Sequence, residues 1–397
     1  MIDMLLTKKQ EEGLKIILER HKNNEKYTVI SGYAGTGKST LVKFAIEALD
    51  VEKSKVAYAT FTGKAAEVLR KKGNDGAMTL HRLLYDHMPK PGGGFFRKPK
   101  AMLEYSIIVV DEVSMVPRSM IDLLLRHKVY VIFLGDPFQL PQIDKNEAHD
   151  LLDHPHVFLD EVMRQAAESE IIQLTMKIRN QEPIPYMKGN EVIVMPYREL
   201  VDGCYLWADQ VIVATNAKRK QVNEYVRKML GYEGLPQQGE RMICLRNYWE
   251  DISDSGEALV NGTTGIIKSA PIESFRAIPK YVQAPNYRLD TLVCDFATDE
   301  GSEFHGVEMD KHMILTGEKC VDWRLSYQLG KLKNRIGDIV PREFDYGYAI
   351  TGHKSQGSQW EKVLVLEESF PFDKVEHARW LYTVCTRPEE KLVLVRD

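Results

Sequence analysis

The chain has 397 residues, 44% hydrophobic and 28% charged, which excludes general disorder and leaves room for about two or three domains. Lys and Arg number 53 against 57 Asp and Glu, so the net charge of −4 excludes nucleic-acid binding through bulk basic charge. It leaves open a basic channel in an acidic surface. Five cysteines without a CxxC pair fit free thiols in a reducing compartment. The early Asp3 and the lack of a long apolar run give no signal peptide and no membrane span, so an intracellular protein is expected.

In chain order, Tyr27 to Ser31 reads as a strand and Lys38 to Leu49 as a helix; Val56 to Thr60 and Lys64 to Arg70 repeat the pair. Ile107 to Val110 and Val129 to Leu134 are continuous apolar runs, the mark of buried parallel strands in βαβ units. Pro89 to Lys100 (PKPGGGFFRKPK) breaks the pattern and reads as a small excursion. Ile171 to Asn180 is helical, and Pro183 and Pro185 place a linker after it. Val211 to Ala214, Val363 to Leu366 and Lys391 to Val395 are further buried strands. Between them, Ile266 to Pro341 has short alternating segments rich in turn residues, the pattern of a mostly β insertion.

Gly32 to Ser39 (GYAGTGKS) matches GxxxxGK[ST] between a strand and a helix, the context that defines a phosphate-binding loop. Its glycines turn backbone N–H groups toward phosphate oxygens, Lys38 reaches the terminal phosphates, and Ser39 can ligate Mg²⁺. Asp111 and Glu112 end an apolar strand, where charge is costly unless the edge is a site. The expected roles are Asp111 holding Mg²⁺ and Glu112 polarising the attacking water. Gln139, in GDPFQLP (Gly135 to Pro141), follows another buried strand and can sense a γ-phosphate; a plain turn accounts for the same Gly, Asp and Pro.

The ordered set Gln10, GYAGTGKS, TFTGKAA (Thr60 to Ala66), MTLHRLL (Met78 to Leu84), DEVSM (Asp111 to Met115), GDPFQLP, TGHKSQG (Thr351 to Gly357) and LYTVCTR (Leu381 to Arg387) resembles superfamily 1 helicases of the RecD-like branch, which includes the phage Dda helicase. The resemblance implies an α/β fold of two RecA-like P-loop domains with parallel sheets. A small pin insertion belongs in the first and a mostly β insertion in the second. The expected division is 1–84 with 101–182 for the first domain, 85–100 for the pin, 183–265 with 342–397 for the second domain and 266–341 for its insertion.

The resemblance also implies roles. ATP would be held by Gln10, Gly35, Thr36, Gly37, Lys38, Ser39, Thr40, Gln356 and Gly357, and Mg²⁺ by Ser39 and Asp111. Lys38, Asp111, Glu112 and Gln139 would act on the γ-phosphate together with two arginines, Arg164 and Arg387, whose planar donor forks suit phosphoryl oxygens. DNA would meet Thr62, Lys64, Thr79, His81, Asn216, Asn261, Thr351 and His353, with Phe95 and Phe96 as a strand-separating wedge among basic neighbours. Helix capping accounts for Thr62 and Thr79 equally well, and packing for the histidines. Phe61 stands where the family usually has Pro and is expected to pack. The implied activity is ATP-driven 5′→3′ translocation on single-stranded DNA and unwinding of forked duplex, in replication, repair or recombination. The implied protein is a monomer of the cytoplasm, or a viral protein in a host cytoplasm, working beside single-strand-binding or replication proteins. The alternative is a P-loop ATPase remodeller, or a subunit of a larger nucleic-acid machine.

Overall fold

The computed structural model describes residues 6–397 apart from 90–94, 143, 285, 300, 337–338 and 370–372. The chain divides into two compact units. The first takes the chain up to Leu84, Lys100–Asn216 and Thr351–Asp397; the second takes Tyr85–Pro99 and Ala217–Ile350.

The first unit holds two sheets. One is wholly parallel, in the order Met78–Thr79, Val56–Thr60, Ile107–Val110, Tyr130–Gly135, Tyr27–Gly32, Val157–Leu159. Its central strands are apolar on both faces, as strands covered by helices must be. Ile17, Leu41, Val42 and Ala45 from two helices pack on Ile30, Ile107, Val109 and Ile132. The short strand Val157–Leu159 has no clear sequence signal, since only alternate residues are buried. In the other sheet, Gln210–Val213, Trp360–Leu366, Pro388–Arg396 and Val192–Pro196 are parallel neighbours in that order, and Met187–Lys188 pairs antiparallel to the last.

The second unit is built on an antiparallel sheet in the order Ile272–Ala277, Arg288–Thr298, Thr264–Ile267, Arg241–Cys244, Phe344–Tyr346, with Glu303–Asp310 also paired to Arg288–Thr298. Met242, Phe296, Met309 and Phe344 centre its core. The β insertion expected over 266–341 thus reaches further in both directions, because Arg241–Cys244 and Phe344–Tyr346 pair with each other. Within the same unit Tyr85–Pro89 and Phe95–Pro99 pair antiparallel, in the segment expected as the pin.

Helix Asn216–Met229 is tied to this sheet by buried polar groups. Arg227 meets Glu240 through two bonds, Nε to Oε2 at 2.6 Å and Nη2 to Oε1 at 2.9 Å, with the Tyr346 ring against its guanidinium. Asn223 donates to the carbonyls of Tyr346 and Ala349 and accepts from the Ala349 N–H. Removing one partner of such a pair strands the other charge out of water. Glu240→Ala is therefore expected to destabilise the protein by about 3–5 kcal/mol, read as a lowered urea midpoint with an unchanged slope.

Candidate nucleotide site and nucleic-acid contacts

The site lies at the carboxyl ends of neighbouring strands of the first parallel sheet, where open α/β sheets bind ligands. Tyr27–Gly32 runs through the glycine-rich turn into helix Lys38–Ala48. Gly35 and Gly37 sit at φ of 75° and 77°, a backbone that favours glycine. A Cβ on Gly37 would also collide with Gln10 Nε2 and Met163 Sδ. Lys38 Nζ donates to the carbonyls of Gly32 (2.7 Å) and Tyr33 (3.0 Å), folding back over the turn. Ser39 and Thr40 stand in the first turn of the helix.

Gln10 is almost fully buried. It forms a capping box with Thr7, and its Nε2 donates to Gly37 O at 3.3 Å and Thr36 O at 3.5 Å. The amide expected to hold ATP is thus engaged with the turn itself, and Gln10 lies outside the lining of the cavity.

That cavity has a volume of about 490 Å³ and is lined by Lys38, Ser39, Asp111, Glu112, Asp136, Gln139 and Arg387, with Lys72 and Gly357 among the others. Burial, reinforced by Glu112, pushes the Asp111 carboxyl up to about 6, while Lys38 and Lys72 pull it down. Its Oδ1 accepts from the Glu112 N–H at 2.8 Å. Glu112 has φ 52°, a left-handed backbone that costs a non-glycine residue energy and that clusters at functional sites. Asp136 is also raised by burial, against Lys38 and a hydrogen bond from Tyr382.

Arg387 reaches the cavity from the turn after helix Lys374–Cys385 and is buried there. Its Nε donates to Thr383 O at 2.8 Å and its Nη2 to Thr386 Oγ1 at 2.9 Å. Burial lowers its pKa, opposed by Glu112 and Asp136, and a guanidinium remains charged. Gln139 bridges the two sides when its amide nitrogen faces Glu112. It then donates to Glu112 Oε2 at 3.3 Å and accepts from Arg387 Nη2 at 3.3 Å. The structure therefore brings together Lys38, Ser39, Asp111, Glu112, Gln139 and Arg387, residues scattered over most of the sequence.

Two further residues were missed by sequence reasoning. The Tyr382 hydroxyl accepts from the Ala34 N–H of the phosphate loop at 2.9 Å and donates to Asp136 Oδ2 at 2.6 Å. Burial raises the Tyr382 pKa well above its usual value, so the group stays a donor. Beside it, Leu140 N–H donates to Thr383 Oγ1 at 2.9 Å, and Gln356 Nε2 donates to Leu140 O at 2.7 Å. Gln356, expected to face ATP, is thus committed to the GDPFQLP loop, while Gly357 lines the cavity. Arg164 opens the helix Arg164–Ala167; its side chain lies outside the described part of the structure.

The residues expected to meet DNA are mostly engaged locally. Thr62 caps helix Gly63–Lys71 through the Ala65 N–H, and Thr79 accepts from the Arg82 N–H. Lys64 Nζ lies 4.7 Å from the centre of the Trp360 ring. His81 is buried against Phe61, ring centres 5.7 Å apart, so Phe61 packs as expected. Burial lowers the His353 pKa, which keeps it neutral at pH 7. Thr351 precedes the helix Gly352–Ser355 without capping it. Asn216 is exposed at the head of its helix. Asn261 belongs to the second unit, and its N–H bonds Asn247 Oδ1 at 2.9 Å. The side chains of Phe95 and Phe96 lie outside the described part of the structure; their backbones form the second strand of the hairpin.

A phosphate loop, an acidic strand end and an arginine from the turn feeding a second, mostly parallel sheet give the arrangement of a P-loop fold of two RecA-like domains. Comparison with known proteins agrees. Residues 5–191 match the AAA domain family, and 346–395 match the UvrD-like helicase C-terminal domain. The ATP-dependent RecD2 DNA helicase of Deinococcus radiodurans is 25% identical across 98% of this chain and 50% of its own length. The chain thus spans half the length of that relative. The Dda helicase of Enterobacteria phage T4 is 29% identical over 36% of this chain and 34% of its own length. The crystal structure of a Bacteroides Pif1 helicase in complex with ADP-AlF3 and single-stranded DNA has the same fold. It superposes with a TM-score of 0.52 at 19% identity, over 99% of this chain and 92% of that one. The chain is thus similar to superfamily 1 helicases of the RecD- and Pif1-like branch, to which Dda is also related. No helix of the described residues is long and apolar enough to cross a membrane.

Hard oxygen ligands with one buried carboxylate suit a divalent cation, and Ser39 and Asp111 supply them on one cavity wall. A cation held there would need Asp111 ionised, so protons would compete with it below about pH 6. Nucleotide binding that depends on such a cation should then weaken up to about tenfold per pH unit below that point, and Asp111→Asn should flatten the profile in a Mg²⁺ titration. Tyr382→Phe leaves the Ala34 N–H and a buried carboxylate oxygen without their partner. A loss of about 1–3 kcal/mol is expected, measured by thermal unfolding beside steady-state ATPase.

Proposed function

We propose that this chain is an ATP-dependent DNA helicase that moves 5′→3′ along a single strand and separates forked duplex. The observation that carries the reading is the meeting of Lys38, Glu112, Gln139 and Arg387 at one cavity, two of them joined through the Gln139 amide. In this reading the loop N–H groups and Lys38 bind the β- and γ-phosphates, and Glu112 orients the attacking water. Gln139 reports the γ-phosphate to the charges on either side of it. Arg387, with Arg164, offsets charge on the equatorial oxygens. Ser39 and Asp111 would hold Mg²⁺, whose charge would be set against that of the phosphates. Loss of the γ-phosphate removes the anion that these cations share and so changes the balance between the two sheets.

The relatives favour this ligand class. RecD2 and Dda are named ATP-dependent DNA helicases, and Pif1 structures describe single-stranded and forked DNA. Because Thr62 and Thr79 are caps, the strand-binding groups proposed at those loops are their backbone N–H groups together with Lys64, Thr351 and His353. Such contacts hold sugar and phosphate without reading sequence. The proposed division is a first RecA-like domain with the hairpin as pin, and a second carrying the antiparallel sheet as its insertion.

The test is an unwinding assay with the isolated chain on duplexes bearing 5′ or 3′ tails. Unwinding confined to 5′-tailed substrates is expected; ATPase indifferent to single-stranded DNA would point to a remodeller instead. Lys38→Ala should abolish turnover while DNA binding persists, and Arg387→Ala should lower kcat by about 10³-fold with a smaller change in nucleotide affinity.

A further inference from the structure

The second unit carries an exposed face that the nucleotide site does not use. Helix Trp323–Ile336 buries Leu325 and Leu329 on Ile278, Val282 and Leu289 of the segment beneath it. Its other side carries Trp323, Tyr327 and Lys331 at i, i+4 and i+8, one ridge along the helix. Trp323 is 75% exposed and Tyr327 62%. A solvated ridge is normally polar, and large exposed rings in one row mark a surface that meets something.

The rings are dressed with cations. Arg324 lies 5.3 Å from the centre of the Trp323 ring, and Lys331 lies 4.3 Å from that of Tyr327. Residues 323–336 and 278–289 together contain Arg324, Lys331, Lys333, Arg335, Lys280 and Arg288 and no Asp or Glu. Arg288 is paired with Asp290; Arg324, Lys331 and Lys280 have no ion pair among the described residues. With Asp322 and Asp290 just outside these segments, this is still a local excess of positive charge in a chain of net charge −4. Gly330 sits between the two turns of the ridge with nothing within 4 Å of where its Cβ would be, so the fold does not require glycine there. It leaves the flank of Tyr327 open to close approach.

Taken together, the geometry points to a second binding surface on this helix, taking single-stranded nucleic acid by stacking bases on Trp323 and Tyr327 while Arg324 and Lys331 hold phosphates. The Cα positions of Trp323 and Tyr327 stand about 6 Å apart along the helix axis. That is roughly two stacked nucleotides at 3.4 Å each, so one strand can offer a base to each ring. Duplex fits poorly, because its bases are not free to stack on side chains. A membrane surface fits poorly because the helix's aliphatic side is already buried in the unit.

The test uses the full chain without nucleotide and fluorescent oligo(dT), so it does not depend on ATP turnover. Trp323→Ala with Tyr327→Ala should weaken oligo(dT) binding by at least about tenfold. Trp323→Phe, which keeps a ring, should restore most of the loss at that position. Arg324→Glu with Lys331→Glu should reduce the salt dependence of log Kd by about 1.4, two phosphate contacts at 0.7 each. Basal ATPase without DNA should be unchanged in all of them. Wild-type affinity and salt slope in both double variants would overturn the proposal. So would unchanged oligo(dT) binding in the charge-reversal variant together with loss of its binding to polyglutamate, which would make the face a protein-docking surface. If the aromatic variant unfolds, the charge-reversal variant decides alone. Failure here leaves the helicase reading standing if the wild-type ATPase is still stimulated by single-stranded DNA; loss of that stimulation would sink the other reading and not this one.

Discussion

The first unit depends on crowding three carboxylates, buried Asp136 and half-buried Asp111 and Glu112, into one cavity with Lys38, Lys72 and Arg387. Isolated, each buried charge would cost several kcal/mol of desolvation. Together they compensate, and the compensation is incomplete, since Asp111 and Asp136 are still pushed toward the protonated form. A site that cannot fully satisfy its own charges is prepared for a ligand that carries both signs, and a metal-bound polyphosphate is such a ligand. The left-handed Glu112 fits the same logic: backbone energy is spent to aim a carboxylate into the cavity.

The cations arrive from two sheets of different chain origin, so the charge balance also decides how those sheets meet. Lys38 belongs to the sheet that carries the phosphate loop, and Arg387 to the turn feeding Pro388–Arg396. Around them, Tyr382, Thr383 and Gln356 of the later segment bond to Ala34, Asp136 and Leu140 of the earlier one. The residues proposed for hydrolysis are therefore embedded in the seam itself, and a change in a phosphate bound there would be felt at the seam without an intervening relay.

What could be seen in advance follows from how local each signal is. The phosphate loop is contiguous and needs glycine at positions 35 and 37 for backbone reasons, so eight residues suffice to recognise it. Asp111 and Glu112 stand out because charge ending an apolar strand is expensive. Tyr382 has no such signature. It is an aromatic residue on an apolar helix, and its meaning comes only from Ala34 and Asp136, far away in sequence. Gln10 and Gln356 were assigned by motif, and both amides turn out to serve protein carbonyls, a choice among partners that only packing decides. The extent of the antiparallel sheet was illegible for a related reason. Arg241–Cys244 and Phe344–Tyr346 are strands of four and three residues, defined by their mutual pairing rather than by pattern.

The bonds around Leu140 have a practical consequence. Gln356 to Leu140 and Leu140 to Thr383 are buried contacts between neutral groups, and mobile ions in solution scarcely reach such contacts. Grip on a polyanion is governed by released counterions and falls steeply as salt is added. On the proposed reading, ionic strength would therefore loosen the hold on a nucleic-acid strand while leaving the joint between the two sheets of the first unit intact.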